Sequence, residues 1–532
     1  MPAKSEETEE AQTAAAIDIG SNSIRMVVAQ VFPDGRVDLL EETRQPVRLG
    51  QDAFVSGRLS QDTMTAAITI LRDYRRILDV YGVELVRSVA TSAVREASNG
   101  EAFLDRIARS VGLDVEVIEA TEQSRLVVAA VRHAVGEAIP LERRVALIAE
   151  VGGGSTLLTM LRDGEIAASQ SYNLGSIRLR EWLSTDREPL ARAADLLRQR
   201  ISNSIDLARK ALGLRTADTF LAIGGDARFA AAQVGDPMDS ATLTQVRAGA
   251  LDRLVSECAL HAADELARRH RLPFADAETL VPALLVYQAL LHAAQTDEMV
   301  VSQVSMRDGL LLDLPRYVSG REDPELTESI LLSARNIGAK YHYDQEHAEH
   351  VSTLAVRLFD ELQGEHQLTR RDRLLLRVAG LLHEVGVFVS NRAHHKHSYY
   401  LVSNAEILGL RRSEIATVAH VARYHRRAMP RPSHLDYMAL PREQRMVINK
   451  LAAILRVADA LDRGHYQQVQ DFEMERQGFD LVIYVKGVAD LALERRAMAE
   501  KADLFEDMFG MRVRLEEDIQ PRPMTATRLG KA

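Results

Sequence analysis

A single cysteine, Cys258, excludes an internal disulfide and suits a reducing compartment. Cys258, followed by Ala-Leu, reads as a core or half-exposed helix position, so no thiol nucleophile is predicted. Apolar runs near the ~18 residues of a membrane span are missing. The longest candidate, ALLVYQALLHAA from Ala283, is too short and carries polar residues. The N-terminus lacks a basic stretch followed by an apolar one. EETEE from Glu6 is acidic, so a disordered tail rather than a secretory signal is expected there. Positive charge is in deficit, with 66 Lys and Arg against 76 Asp and Glu and a net charge of −10. That weighs against nucleic acid as a partner. It leaves room for a polyanionic ligand, because a local arginine cluster overrides the global sign. A cytoplasmic protein with no membrane and no nucleic-acid partner is therefore expected.

What the chain does have is two glycine-bearing turns, each after an apolar run. AAAIDIGSNSIRMVV spans Ala14–Val28 and VALIAEVGGGSTLLTML spans Val145–Leu161. Each reads as strand, tight turn, strand. Glycine lets backbone N–H groups approach an anion without a Cβ in the way, and successive N–H groups form an anion-binding concavity. One such hairpin grips one phosphate group; two facing each other make a cleft for a phosphate chain. Gly20, Ser21, Asn22 and Ser23 form the first cradle, and Gly152, Gly153, Gly154, Ser155 and Thr156 the second. Asp18 and Glu150 hold matching positions before the two turns, where they are expected to hold Mg²⁺ against phosphate oxygens.

The pattern along the chain predicts two copies of a strand-rich α/β unit. Strand-and-helix signals run through residues 60–135, and a hairpin, a strand at Glu165–Leu174 and helices from Ala191 to Leu212 follow the second turn. Thr219–Gly225 reads as a buried strand ending in a Gly224-Gly225 turn, and Trp182 is expected to pack inside the second lobe. After about Pro315 strand signals nearly vanish. Twelve of the sixteen histidines fall between His342 and His465, which marks a separate helical domain. Phe472–Gly487 reads as a hairpin turning at Gln477–Gly478, followed by a helix and a strand at Met511–Leu515. The expected divisions are a tail at 1–13, lobe I at 14–135, lobe II at 136–315, a helical domain at 316–468, a small α+β cap at 469–519 and a basic tail at 520–532.

These segments resemble the exopolyphosphatase/guanosine pentaphosphate phosphohydrolase (Ppx/GppA) family. The resemblance rests on IDIGSNSIRMVV, QPVRLGQ at Gln45–Gln51, VATSAVREASN at Val89–Asn99 and VGGGST at Val151–Thr156. NLGSIRL at Asn173–Leu179, AIGGDAR at Ala222–Arg228 and MRDGLL at Met306–Leu311 extend it. So do LLHEVG at Leu381–Gly386, HHKHSYYLVSNAEILG at His394–Gly409 and ARYHRR from Ala422. The fold it implies is α/β: two ribonuclease-H-like lobes of the actin/sugar-kinase/Hsp70 type, then an all-α HD-like domain and a small α+β cap. The implied activity is release of terminal phosphate from inorganic polyphosphate or guanosine pentaphosphate by Mg²⁺-assisted attack of water, in a homodimer.

Carried onto this chain, the resemblance implies phosphate contacts for Arg48, Arg95, Arg125 and Arg178; each can equally pair with a nearby acid. The family's general base is the second Glu of an S-G-x-E-E-A-R-L-type segment. Here Gln123 stands at that position, and an amide takes no proton at neutral pH. Glu150 replaces the usual Asp before the glycine run. Either Glu122 or Glu119 substitutes as base, or the chain is a catalytically weak polyphosphate or guanosine pentaphosphate sensor. Sugar- or acid-kinase activity on the same core is a third reading. Gln123→Glu is expected to raise turnover. HD-type phosphohydrolases bind metal through a His, a His-Asp pair and a distant Asp. The matching positions are His347, His383-Glu384 and Asp459, with His-Glu in place of His-Asp. They are either a metal site or hydrogen-bonded histidines of a helical bundle.

Overall fold

Ala14, Ala15, Ala16, Ile17 and Ile19 are all buried. The reason is position: β1 (Gln12–Ile19) is the middle strand of a five-stranded sheet, covered on both faces. The sheet runs β3-β2-β1-β4-β5, with β2 (Ser23–Val31), β3 (Val37–Pro46), β4 (Leu85–Ala90) and β5 (Val115–Val117). β1 pairs antiparallel with β2 and parallel with β4. This is a computed structural model; it describes residues 11–32, 34, 36–183, 188–319, 324–426, 428–488 and 490–518. The predicted basic tail, most of the predicted N-terminal tail, and Pro33 and Gly35 lie outside the described residues. β1 begins at Gln12, inside the segment expected to be tail.

A second sheet repeats the plan. It runs β10-β11-β12-β9-β6-β7-β8. Its strands are β6 (Val145–Val151), β7 (Thr156–Arg162), β8 (Glu165–Tyr172), β9 (Thr219–Ile223), β10 (Asp236–Met238), β11 (Ser240–Arg247) and β12 (Glu298–Ser302). β6 pairs antiparallel with β7 and parallel with β9, as β1 does with β2 and β4. The duplication inferred from the two turns is thus a duplication of topology, with β10 and β11 added at one edge.

The two sheets share an apolar cluster that includes Ala16, Leu126, Ile148, Leu221 and Leu310. Helices Ala120–Val135 and Met306–Ser319 contribute to it and pack on each other. Gly309 permits that approach, because a Cβ there would strike the carbonyl of Leu126. The helix Met306–Ser319 also packs on β1 and β2, so the chain returns to the first sheet before this unit ends. The helix Phe274–Ala294 is long and apolar enough, by length and composition, to cross a bilayer, which the sequence reading did not expect. It is instead a core helix of the second lobe, with Ala283, Leu284, Val286, Leu290 and Leu291 fully buried.

The chain divides into two compact units, residues 1–321 and 322–532. The second unit is helical, with a sheet of order β13-β14-β15 made by β13 (Phe472–Gln477), β14 (Asp480–Lys486) and β15 (Arg512–Asp518). Phe472, Leu481 and Ile483 join the same apolar cluster as Leu354 and Leu455, so the small sheet and the helices share one core.

Candidate functional site

The two glycine turns are closed in the same way. Gly20 N–H donates to the Ser23 carbonyl at 3.1 Å, and Gly152 N–H to the Ser155 carbonyl at 2.9 Å. Gly154 has no room for a side chain: a Cβ there would strike Ser92 and the Phe54 ring. Both turns open on one cavity of about 220 Å³ between the lobes. Gly20, Ser21, Asn22 and Ser23 line it from one side, and Gly152, Gly153, Gly154 and Ser155 from the other. Gly224 and Gly225 line it too, at the end of β9, where Gly224 takes φ +122, a region that L side chains rarely adopt.

Asp18, Gln123 and Glu150 line the same cavity. Gln123 Nε2 donates to Glu150 Oε2 at 2.8 Å. Asp18 Oδ1 is buried with no hydrogen-bond partner. Desolvation pushes the Asp18 carboxyl up, opposed by the Arg25 and Arg307 guanidiniums. Desolvation also pushes Glu150 up, opposed by the Gln123 hydrogen bond and reinforced by the charge of Asp18. Two desolvated carboxylates beside a glycine-rich anion cradle are groups whose charge a cation would stabilise.

Several expected residues lie elsewhere, each for a visible reason. Glu122 is bound by Arg87 and by both forks of Arg125. Arg125 turns to Asp313 as well, at 2.7 Å. Glu122 and Arg125 are therefore halves of an ion-pair network, and neither lines the cavity. Burial would raise the Glu122 carboxyl, but the Arg125 and Arg87 cations outweigh it and hold it below its usual range. Glu119 precedes the helix Ala120–Val135, 3.8 Å from Arg95, and does not line the cavity. Arg95 donates to the Ile118 carbonyl, and Arg48 pairs with Glu278. Arg178 binds Glu96 and the Gly154 carbonyl, bracing the second turn from behind. Thr156 is buried and donates to the Leu174 carbonyl. Trp182 is 45% exposed rather than packed, with the Arg178 and Arg200 guanidiniums over its ring.

The cations that do line the cavity are Arg25 and Arg44. They follow from strand register. Asp18 pairs with Arg25 across β1 and β2, and Arg25 with Arg44 across β2 and β3, so the three form one cross-strand row. Counting outward from the Gly20 turn would have found Arg25. Asp226 was also missed, although it stands directly after the Gly224-Gly225 turn. Desolvation, helped by Asp276, pushes its carboxyl up to about 7 against Arg25, Arg44 and Arg228.

In the helical unit, His347, His383, Glu384 and Asp459 converge, joined by His394, His425 and His465. His347 Nε2 lies 3.8 Å from Asp459 Oδ1 and 4.0 Å from Glu384 Oε2. Asp459 also pairs with buried Lys501.

Known proteins resemble the chain in sequence and in fold. The family model of the Ppx/GppA phosphatase family matches residues 27–317, and that of Ppx/GppA phosphatase, domain III, matches residues 331–494. The chain is similar to the guanosine-5'-triphosphate,3'-diphosphate pyrophosphatase of Vibrio campbellii, 25% identical over 77% of this chain and 80% of the relative. A protein of the same name from Photobacterium profundum is 24% identical over 83% of this chain and 84% of the relative. Among solved structures, an exopolyphosphatase from Cytophaga hutchinsonii aligns with a TM-score of 0.52 at 23% identity. The match covers 58% of this chain and 99% of that one. That likeness shows the fold: two ribonuclease-H-like lobes, here followed by a helical region.

Proposed function

We propose a hydrolytic function for this chain, which belongs to the Ppx/GppA phosphatase family: it releases the terminal phosphate of inorganic polyphosphate or of guanosine pentaphosphate. The observation that carries this reading is the pair of glycine turns lining one cavity with Asp18 and Glu150. The names of its relatives supply the two substrates, one by way of the Vibrio and Photobacterium pyrophosphatases and the other by way of the Cytophaga exopolyphosphatase.

The turns' N–H groups hold the phosphate oxygens, and Arg25 counters the charge that accumulates on them, with Arg44, itself paired to Asp276, beside it. An oxygen donor set with a buried, unpartnered Asp18 Oδ1 fits a hard cation. Asp18 would hold Mg²⁺, and the ion would neutralise charge on the phosphate oxygens. One or two carboxylates plus substrate oxygens are the usual protein share of such a site. Glu150 is thereby free for the proton. Gln123 ties down Oε2 of Glu150 through its amide N–H and keeps its own carbonyl oxygen to accept from a water. Water oxygen bonds to the terminal phosphorus, the bridging P–O bond breaks, and Glu150 takes the water's proton. The desolvation that raises Glu150 suits it to that task.

The test is phosphate release from long-chain polyphosphate and from guanosine pentaphosphate with Mg²⁺, for the wild type, Asp18→Asn and Glu150→Gln. Release with at least one substrate, lost in both variants, supports the reading. Undiminished release by Glu150→Gln overturns the assignment of the base.

A further inference from the structure

We propose that the helical unit binds two transition-metal cations, one on His347, His383 and Asp459 and a second on Glu384, His394 and His425, a site independent of the phosphate cavity. In each triad one ligand atom from every residue lies within 4.8 Å of the other two. Five of the six side chains are buried, and Glu384 is partly so. Such burial is costly for polar groups without partners.

The histidine ring nitrogens make the stronger case. His383 Nδ1 donates to the Gly380 carbonyl at 2.7 Å, and His425 Nδ1 to the Ala422 carbonyl at 2.6 Å. His347 Nδ1 meets Asp462 Oδ2 at 2.8 Å. Those bonds place the ring proton on Nδ1 and leave Nε2 with a free lone pair. A carbonyl or carboxylate behind a histidine is also the arrangement that orients metal-ligating imidazoles. In the inward direction, His347 Nε2 and His383 Nε2 have no hydrogen-bond partner among the described residues. His425 Nε2 faces His394 Nε2 at 3.2 Å. With the His425 proton on Nδ1, its Nε2 is an acceptor aimed at another ring nitrogen. A cation between the two turns that opposition into ligation.

The carboxylates fit the same scheme. Glu384 Oε2 points toward His347 at 4.0 Å and Oε1 toward His394 at 3.6 Å, so one carboxylate reaches both triads. Asp459 gives Oδ2 to the Lys501 ammonium and keeps Oδ1 toward His347. Four imidazoles with two carboxylates suit Mn²⁺, Fe²⁺, Co²⁺ or Zn²⁺ and disfavour Mg²⁺ and Ca²⁺, which take oxygen ligands. His347 Nε2 and His383 Nε2, buried without partners among the described residues, each cost ~1–3 kcal/mol, which ligation to a cation would offset; unlike the unpartnered nitrogens of His350, His395 and His420, they converge with a carboxylate.

The experiment uses the full chain stripped of metal, titrated with Co²⁺ in the presence of excess Mg²⁺ and followed by calorimetry and the visible ligand-field bands. His383→Gln and His425→Gln are titrated alongside, with thermal melting as the check on folding. Two equivalents are expected for the wild type, and one for each variant, the lost site weakening at least ~10-fold. Asp18→Asn should leave both equivalents in place, which separates this result from the fate of the phosphate site. Fewer than two equivalents in the wild type, or two retained by either variant, overturns the proposal. If a variant fails to fold, Glu384→Gln replaces it. That substitution should weaken both equivalents, and undiminished binding of both counts against the proposal.

Discussion

Exchanging Gln123 and Glu150 tests the proton assignment with the atoms already in place. Glu150→Gln leaves two amides facing each other and no group there that takes up a proton. Loss of a general base lowers kcat by ~10²- to 10⁴-fold. Gln123→Glu alone creates two carboxylates in the space of a 2.8 Å hydrogen bond. At an effective dielectric of about 20, charges that close repel by about 6 kcal/mol. That is equivalent to about 4 pKa units, so the pair keeps one proton at neutral pH. The gain expected from sequence for this variant is therefore replaced by a kcat no higher than the wild type's. The double variant Gln123→Glu/Glu150→Gln puts the carboxylate at the other end of the same hydrogen bond. It should recover to within about 10-fold of the wild type if one carboxylate is what the step requires. The assay is steady-state phosphate release from polyphosphate at saturating Mg²⁺, pH 7, with melting temperatures recorded for all four proteins. A double variant no more active than Glu150→Gln alone, or a large gain from Gln123→Glu, refutes the reasoning.

Other outcomes follow from groups around the cavity. Glu122→Gln leaves Arg87 and Arg125 short of a buried partner and should cost about 3–5 kcal/mol of stability while kcat of the folded protein stays intact. Asp313 and Glu122 are both held below their usual range, their arginines outweighing burial. The network's contribution is therefore present above the unfolded carboxyl values near ~4 and is lost as pH falls through the lower folded ones; urea unfolding against pH reads this. Asp226 is shifted the other way, to about 7, so its contribution is full below the unfolded value and disappears as pH rises through the folded one. Asp226→Asn should accordingly melt higher than the wild type at pH 8, with the difference shrinking toward zero as pH falls to about 4. Gly154→Ala drives a methyl into Phe54 and Ser92 and should lower stability by ~1–3 kcal/mol and weaken polyphosphate binding, whereas Gly225→Ala meets open space and should do neither on packing grounds.

Much of the site was legible because its information is local. A strand, a glycine turn and a returning strand are contiguous in Ala14–Val28 and again in Val145–Leu161, and both turns line the cavity. The arginines were less legible because a side chain's partner is a tertiary fact. Arg125 and Glu122 share a motif with Gln123, yet Asp313, 188 residues from Arg125, draws Arg125 away from the phosphate side. Arg25 and Arg44 carried a local signal in hairpin register that motif reading passed over. β10, β11 and β12 were not foreseen: β10 and β12 are short, and β12 pairs with β9 some 80 residues upstream. In the helical unit the histidines themselves were visible in sequence. Which nitrogen of each faces inward depends on carbonyls and on Asp462, and that is set only by the packed helices.

If both glycine turns hold one phosphate ligand, their backbone amides are protected together when it binds. Hydrogen–deuterium exchange on the Glu150→Gln variant, with and without saturating long-chain polyphosphate and Mg²⁺, reads it at the backbone while the ligand stays intact. Slowed exchange is expected in peptides covering Gly20–Ser23 and Gly152–Ser155 together, at the same ligand concentration. Slowing confined to one turn, or to neither at saturation, contradicts a shared ligand.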